Sequence, residues 1–236
     1  MINLGSLELG EKLRIARIAA IVDAILPLQD LTALRRKGVD LLEVRVDLFE
    51  TTLACIVKYL EALRDEVQLP LIGTVRENER TLAAREGIFR AIIPLVDCID
   101  IELGAAIAAD VTAEAKLQGK TVMVSEHNFG KTPDDRALQT IVDRALAQGA
   151  DIVKIATMAA NAEDTWRLLH FADSCAVPLV AFAMGEAGAF SRVRACEFGS
   201  LFTYGYITMP VAPGQLSAEE LIKRMKNEEG RRKERH

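Results

Sequence analysis

The chain has 236 residues, 50% of them hydrophobic and 27% charged, the composition of a folded domain with a core of its own. A formal net charge of -5 and a pI near 5.4 argue against nucleic-acid binding as the main activity, since a polyphosphate partner needs a basic face. No apolar run approaches the roughly 18 residues of a membrane span, and the N-terminus lacks a signal-peptide layout. The expectation is a cytoplasmic chain with neither nucleic-acid nor membrane partners.

Met1 to Leu13 read as a variable lead-in. Short runs rich in Val, Ile and Leu then recur, with helical patterns between them. The predicted strands are Arg17–Val22, Leu42–Leu48, Leu69–Val75, Cys98–Leu103, Thr121–Ser125, Ile152–Ala156, Pro178–Ala183 and Phe202–Ile207. The segments between them carry 3.6-type apolar spacing, as in Leu53, Ile56, Val57, Leu60 and Leu63. Gly38, Gly119 and Gly149 stand where helices should end. Ser217 predicts a capping box with Glu220 for a last helix over Ser217–Lys226. The basic stretch within 227–236 reads as a frayed tail.

Eight such units without a linker point to one α/β domain over residues 1–236, a closed (β/α)8 TIM barrel, whose usual length is about 250 residues. An open doubly wound sheet is the alternative, but no GxGxxG follows a strand. The cysteines Cys55, Cys98, Cys175 and Cys196 form no CxxC or metal spacing and are expected to be buried free thiols. No HxH or HExxH suggests a metal.

In such a barrel the strand ends carry the chemistry. Glu43, Arg45 and Asp47 alternate onto one face of LLEVRVDLF. They serve either a wet active-site mouth or a structural ion network. Lys154 lies inside the apolar run DIVKIA, where a lysine is rare unless it is functional or snorkels at a barrel end. His127 ends the preceding run. A histidine one βα unit from a buried amine suggests imine chemistry with a proton shuttle. Arg45, Arg76 and Arg192, each assigned to a different strand, can converge on a carboxylate. The segment Met184–Ser191, with Gly185 and Gly188, is a candidate lid.

The motifs LLEVRVDLF, GTVR, VDCIDIEL, VSEHNFGKTP, ADIVKIA, AMGEAGAFSRVRACEFGS and APGQ, spread over about residues 15–225, resemble type I 3-dehydroquinate dehydratase, the Schiff-base lyase of the shikimate pathway. The resemblance implies a homodimeric barrel with no metal and no organic cofactor. Its substrate would be the small carboxylate 3-dehydroquinate. Lys154 would form the imine. His127 would act as general base and then as acid. Glu43 and Arg45 would hold ring hydroxyls, Arg76 and Arg192 would help bind the substrate, and Gln215 would close over it. Two departures stand out. The family's Glu-Gly-Gly after the strand-three arginine, whose glutamate orients the histidine, is RENERTLAAREG here. Arg80 stands at the expected offset, and Glu79 or Glu86 is left for the role, Glu79 being favoured. Val211 replaces the usual serine two residues before Pro-Gly-Gln. Two other readings stay open: a class I aldolase-type lyase using Lys154, and a non-catalytic barrel kept for binding.

Overall fold

The computed structural model describes residues 2–10 and 16–233. Eight parallel strands alternate with helices: β3 (Ile18–Val22), β4 (Leu41–Arg45), β5 (Leu71–Thr74), β6 (Cys98–Glu102), β7 (Thr121–Asn128), β8 (Ile152–Met158), β9 (Leu179–Met184) and β10 (Thr203–Tyr206). They pair in the order β10-β3-β4-β5-β6-β7-β8-β9. The β9 and β10 edges meet through Leu201 N–H, which donates to Leu179 O at 2.8 Å, and through a parallel bridge between Leu179 and Ser200. The result is a nearly closed (β/α)8 TIM barrel.

Alternation along the strands makes two cores. Residues such as Ile18, Val44, Ile99, Val124, Val153 and Ala181 face outward, against the helices. Ala19, Leu41, Ile72, Cys98, Met123 and Ile152 face inward. Continuing each inward row toward the C-terminal end of its strand gives Glu43, Thr74, Asp100, Ser125 and Lys154. The barrel is therefore apolar at its N-terminal end and polar toward its mouth.

The lead-in is structured where it is described. Ile2–Leu4 (β1) and Leu7–Leu9 (β2) form an antiparallel hairpin. Leu4 and Leu9 are buried and pack with Leu41, Ile72, Cys98 and Phe202, capping the N-terminal end of the barrel. Two three-residue strands are too short to leave a periodic signal. Strand β4 stops at Arg45, three residues before its expected end, because Val46–Leu48 winds into a 3-10 turn.

The helices are α1 (Leu28–Lys37), α2 (Leu53–Ala62), α3 (Arg85–Ile92), α4 (Ala108–Leu117), α5 (Asp135–Ala147), α6 (Ala162–Ser174), α7 (Ala189–Arg194) and α8 (Ala218–Lys233). Gly38, Gly119 and Gly149 all lie at positive φ after helices, as expected. Ser217 caps α8 by accepting from Glu220 N–H at 3.1 Å, while the Glu220 carboxylate pairs with Arg224 instead of closing the box. Helix α8 runs on to Lys233, so it continues through residues 227–233, where the tail was expected to begin. The expected tail beyond 233 lies outside the described residues. None of the four cysteines forms a disulfide; Cys98 and Cys196 are buried, but Cys55 is exposed in the first turn of α2. No helix among the described residues is long and apolar enough to cross a membrane.

Candidate active site

The polar rows meet in a cavity of about 450 Å³ at the C-terminal mouth of the barrel. Lys154 stands at the third position of β8, its Cα paired with Ser125 of β7. His127, two residues beyond Ser125 on the same face, lies within β7 and lines the cavity above it. The lysine's neighbours along its own strand are apolar, as read from the sequence. Its neighbours across the barrel are not. Lys154 is 4% exposed, and its Nζ donates to Asp100 Oδ2 at 2.9 Å and to Glu43 Oε1 at 3.2 Å. The Tyr204 ring lies 4.1 Å from Nζ, within cation–π distance.

Asp100, on β6, is fully buried and gathers three donors. Ser125 Oγ lies 2.6 Å from Oδ1, and Arg76 Nη2 lies 2.7 Å from Oδ2, which Lys154 shares. Burial alone would raise the Asp100 carboxyl, but Arg76, Lys154 and His127 outweigh it and hold it below the usual carboxylate range. Arg76 also pairs with Glu102 at 3.2 Å. Glu102 in turn pairs with Arg85, a buried residue of α3 that donates to Val75 O at 2.6 Å. Glu43 accepts a second hydrogen bond, from Thr74, at 2.8 Å.

His127 is set differently. Burial pushes its imidazole down to about 3, Arg76 and Lys154 push the same way, and Asp100 opposes them. These influences favour the neutral ring at ordinary pH. It stacks on Phe129, with centroids 6.3 Å apart, at the exposed rim.

Arg192 has no carboxylate partner among the described residues. It lies on α7, not on a strand as expected, and is fully buried. Its guanidinium sits 4.6 Å from the Phe182 ring, and Nη2 reaches Pro213 O at 3.5 Å. Nε and Nη1 are buried without a hydrogen-bond partner. Burial lowers it to about 10. Arg45 lines the cavity as well, but is held by both oxygens of Asp47 at 2.7 and 3.0 Å. Gln215 lines the cavity and uses Oε1 to accept from Val211 N–H at 2.8 Å. Val211 and Ala212 add apolar wall beside Met184.

The structure thus brings together Glu43, Arg45, Arg76, His127, Lys154, Arg192 and Gln215. It does not bring in Glu79, which is exposed and outside the cavity lining. Glu86 is also outside it and pairs with Arg90. Glu79 lies in the irregular loop after β5 and Glu86 in the first turn of α3, and Arg80 at the family offset donates to Asp47 O at 2.8 Å. Sequence reasoning passed over Asp100, Glu102 and Tyr204. The alternation in CIDIE, read as it was for LLEVR, flags the first two.

The segment 184–191 is tied down. Gly185 N–H donates to Pro213 O at 3.1 Å, and Ser191 Oγ donates to Gly188 O at 2.7 Å and accepts from Ala183 N–H at 2.8 Å. Gly188 is needed for close approach: a Cβ there would press on the backbone of Ala183 and Met184. No group of His, Cys, Asp and Glu among the described residues is arranged to hold a metal.

Comparison with known proteins agrees with this geometry. The family model described as Type I 3-dehydroquinase matches residues 23–230. The 3-dehydroquinate dehydratase of Methanococcoides burtonii is 35% identical over 238 residues, covering 95% of this chain and 98% of that one. That of a Hydrogenobaculum strain is 36% identical over 198 residues, covering 82% and 91%. Among solved structures, the type I 3-dehydroquinate dehydratase of Clostridium difficile, carrying covalently modified comenic acid, superposes with a TM-score of 0.83 at 26% identity over 97% of each chain. The Aquifex aeolicus enzyme gives 0.77 at 30% identity, over 89% of this chain and 98% of that one. With a buried lysine beneath a neutral histidine in the barrel mouth, and with relatives aligned over nearly its whole length, the chain belongs to the type I 3-dehydroquinase family.

Proposed function

We propose that this protein is a hydro-lyase that converts 3-dehydroquinate to 3-dehydroshikimate, a step of the shikimate pathway, through an imine on Lys154. The observation that carries the reading is one cavity holding a buried amine, a neutral imidazole on the adjacent strand and a buried guanidinium with two unpartnered nitrogens. The first two are the parts of Schiff-base chemistry. The third is a place for the substrate carboxylate.

The steps balance as follows. The Lys154 ammonium and the C3 ketone give a protonated imine and water, two N–H protons leaving with the carbonyl oxygen. The imine draws electrons from the C2–H bond, and His127 takes that proton, leaving an enamine. The enamine expels the C1 hydroxyl, which His127 protonates to water. Hydrolysis of the new imine releases product and restores the amine. Arg192 holds the carboxylate, with Arg76 assisting. Glu43 and Arg45 receive ring hydroxyls, and Gln215 closes the mouth. Glu79 has no part in this scheme. By the same family resemblance the enzyme works as a cytoplasmic homodimer, which sedimentation would test against the 25.9 kDa chain mass.

The test is borohydride reduction in the presence of 3-dehydroquinate, followed by peptide mass analysis. A reduced adduct on the peptide containing Lys154 is the expected result. No adduct from folded protein that still turns over substrate would overturn the imine. Adduct formation with phosphorylated sugars instead would favour an aldolase-type lyase.

A further inference from the structure

The amine of Lys154 has two carboxylate acceptors, but an imine nitrogen keeps one proton. We infer that Asp100 is the positioning residue that retains the nitrogen after the imine forms, and that Glu43 is released from it to receive a substrate hydroxyl. The inference rests on the imine reading above.

The argument is one of protons and geometry. In the ligand-free site two N–H bonds of Lys154 point at Asp100 Oδ2, 2.9 Å away, and Glu43 Oε1, 3.2 Å away. Loss of two protons with the ketone oxygen leaves a single N–H, so one acceptor must lose its donor. Asp100 is the nearer acceptor and the better anchored. It is fully buried, and its oxygens are pinned by Arg76 at 2.7 Å and Ser125 at 2.6 Å. These tie it to the chain just past β5 and to β7, while Lys154 ties it to β8. Among the described residues Glu43 is held otherwise only by a hydrogen bond from Thr74, and it lines the cavity where substrate would lie. Asp100 does not line it. An acceptor locked behind the amine suits a charge that persists through the cycle. One facing the cavity suits a ligand that arrives.

Charge accounting agrees. The ammonium and the protonated imine both carry one positive charge, so the same carboxylate compensates the nitrogen before and after water is lost. The groups facing Lys154 are Glu43 of β4, Arg76 beyond β5, Asp100 of β6, Ser125 and His127 of β7, and Tyr204 of β10. Among these only Asp100 touches both Lys154 and Arg76, so it also sets the amine's position relative to an arginine expected to touch substrate.

The experiment compares Asp100→Asn, Glu43→Gln and Ser125→Ala, each checked for folding by circular dichroism. Single-turnover imine formation is followed by borohydride quenching, alongside steady-state kinetics. Asp100→Asn should slow imine formation and lower kcat by about 100-fold or more, with KM little changed, the loss typical of removing one preorganised electrostatic contact. Glu43→Gln should act mainly by raising KM. Ser125→Ala keeps the carboxylate but cuts one tether between strands, and should cost only a few-fold. Equal losses in Asp100→Asn and Ser125→Ala would mean that Asp100 merely braces the strands. A kcat within a few-fold of wild type in Asp100→Asn would also overturn the assignment. A second measurement does not depend on that variant folding. In a crystal of the His127→Ala protein soaked with 3-dehydroquinate, the imine nitrogen should lie within about 3.2 Å of Asp100 and outside that range of Glu43. The reverse pairing refutes the inference while leaving the imine intact. Absence of any adduct in the wild-type protein refutes the imine reading itself.

Discussion

Arg192 keeps its charge with no carboxylate beside it, and Arg192→Met tests what that charge is for. Burial takes its guanidinium from its ordinary value down to about 10, equivalent to about 3 kcal/mol of lost solvation. The Phe182 ring at 4.6 Å offsets roughly 0.5–2 kcal/mol of this. Methionine keeps most of the length, removes the charge and leaves no acceptor stranded except Pro213 O. It should therefore stabilise the protein by about 1–3 kcal/mol, in line with other buried ions replaced by apolar side chains. For a chain of this size that raises Tm by roughly 2–10 °C. Substrate binding should move the other way. Losing a buried charge partner for a carboxylate costs about 2–5 kcal/mol, so KM should rise at least about 30-fold. Thermal melts with and without a carboxylate substrate analogue, beside steady-state kinetics, give both readings. The analogue should raise the wild-type Tm and leave the variant's unchanged. A lower Tm with unaltered KM would show Arg192 to be a structural ion, and the carboxylate site would have to be sought elsewhere.

Lys154→Met should abolish borohydride trapping and turnover. It should also destabilise the protein by about 3 kcal/mol, because Glu43 and Asp100 are left buried with less positive charge; urea titration reads this, and retained turnover would sink the imine. His127→Asn should still trap substrate while kcat falls by roughly 10²–10⁴-fold; an equal loss of trapping would assign the histidine to imine formation rather than elimination. The same residue sets a pH dependence of folding. The unfolded imidazole protonates near 6.5 and the folded one only near 3, so this group's contribution is intact above pH 6.5. It is lost at about 1.4 kcal/mol per pH unit as pH falls toward 3. Denaturation between pH 4 and 7 should be less pH-dependent in His127→Asn by about that slope. Gly214 has φ of 70°, and a Cβ there would collide with the Gly185 carbonyl. Gly214→Ala should cost about 1–3 kcal/mol and raise KM by displacing the turn that carries Gln215; an unchanged KM would separate that turn from binding.

The site was legible in the sequence where a local pattern carried it. His127 and Lys154 stand out because a polar residue interrupts or ends a β-branched run, and the strand-helix-strand spacing places them on neighbours. Glu43 and Arg45 follow from alternation alone. Asp47 does not, because the strand ends at Arg45 and the 3-10 turn breaks the period. Glu79 was chosen over Glu86, which lies in the first turn of helix α3, and the loop that holds Glu79 has no period to say which side chain turns inward. Arg192 was read as a carboxylate ligand from its residue type, but its place on a helix was not read. Asp100 was readable by the rule that found Glu43, yet it gains meaning only from three donors distant in the sequence.

By itself the sequence determined the alternation of strands and helices, the count of eight parallel strands, the polar strand ends and the family. All of these depend on which residue types recur at which spacing, and backbone geometry turns spacing into a face. Only the tertiary structure decided which charges neutralise each other. Lys154 is joined to residues 54 and 111 positions away, and closing the barrel is what brings them within 3.2 Å. The same closure leaves Arg192 buried with no carboxylate partner among the described residues, and no one-dimensional pattern distinguishes a paired arginine from an unpaired one.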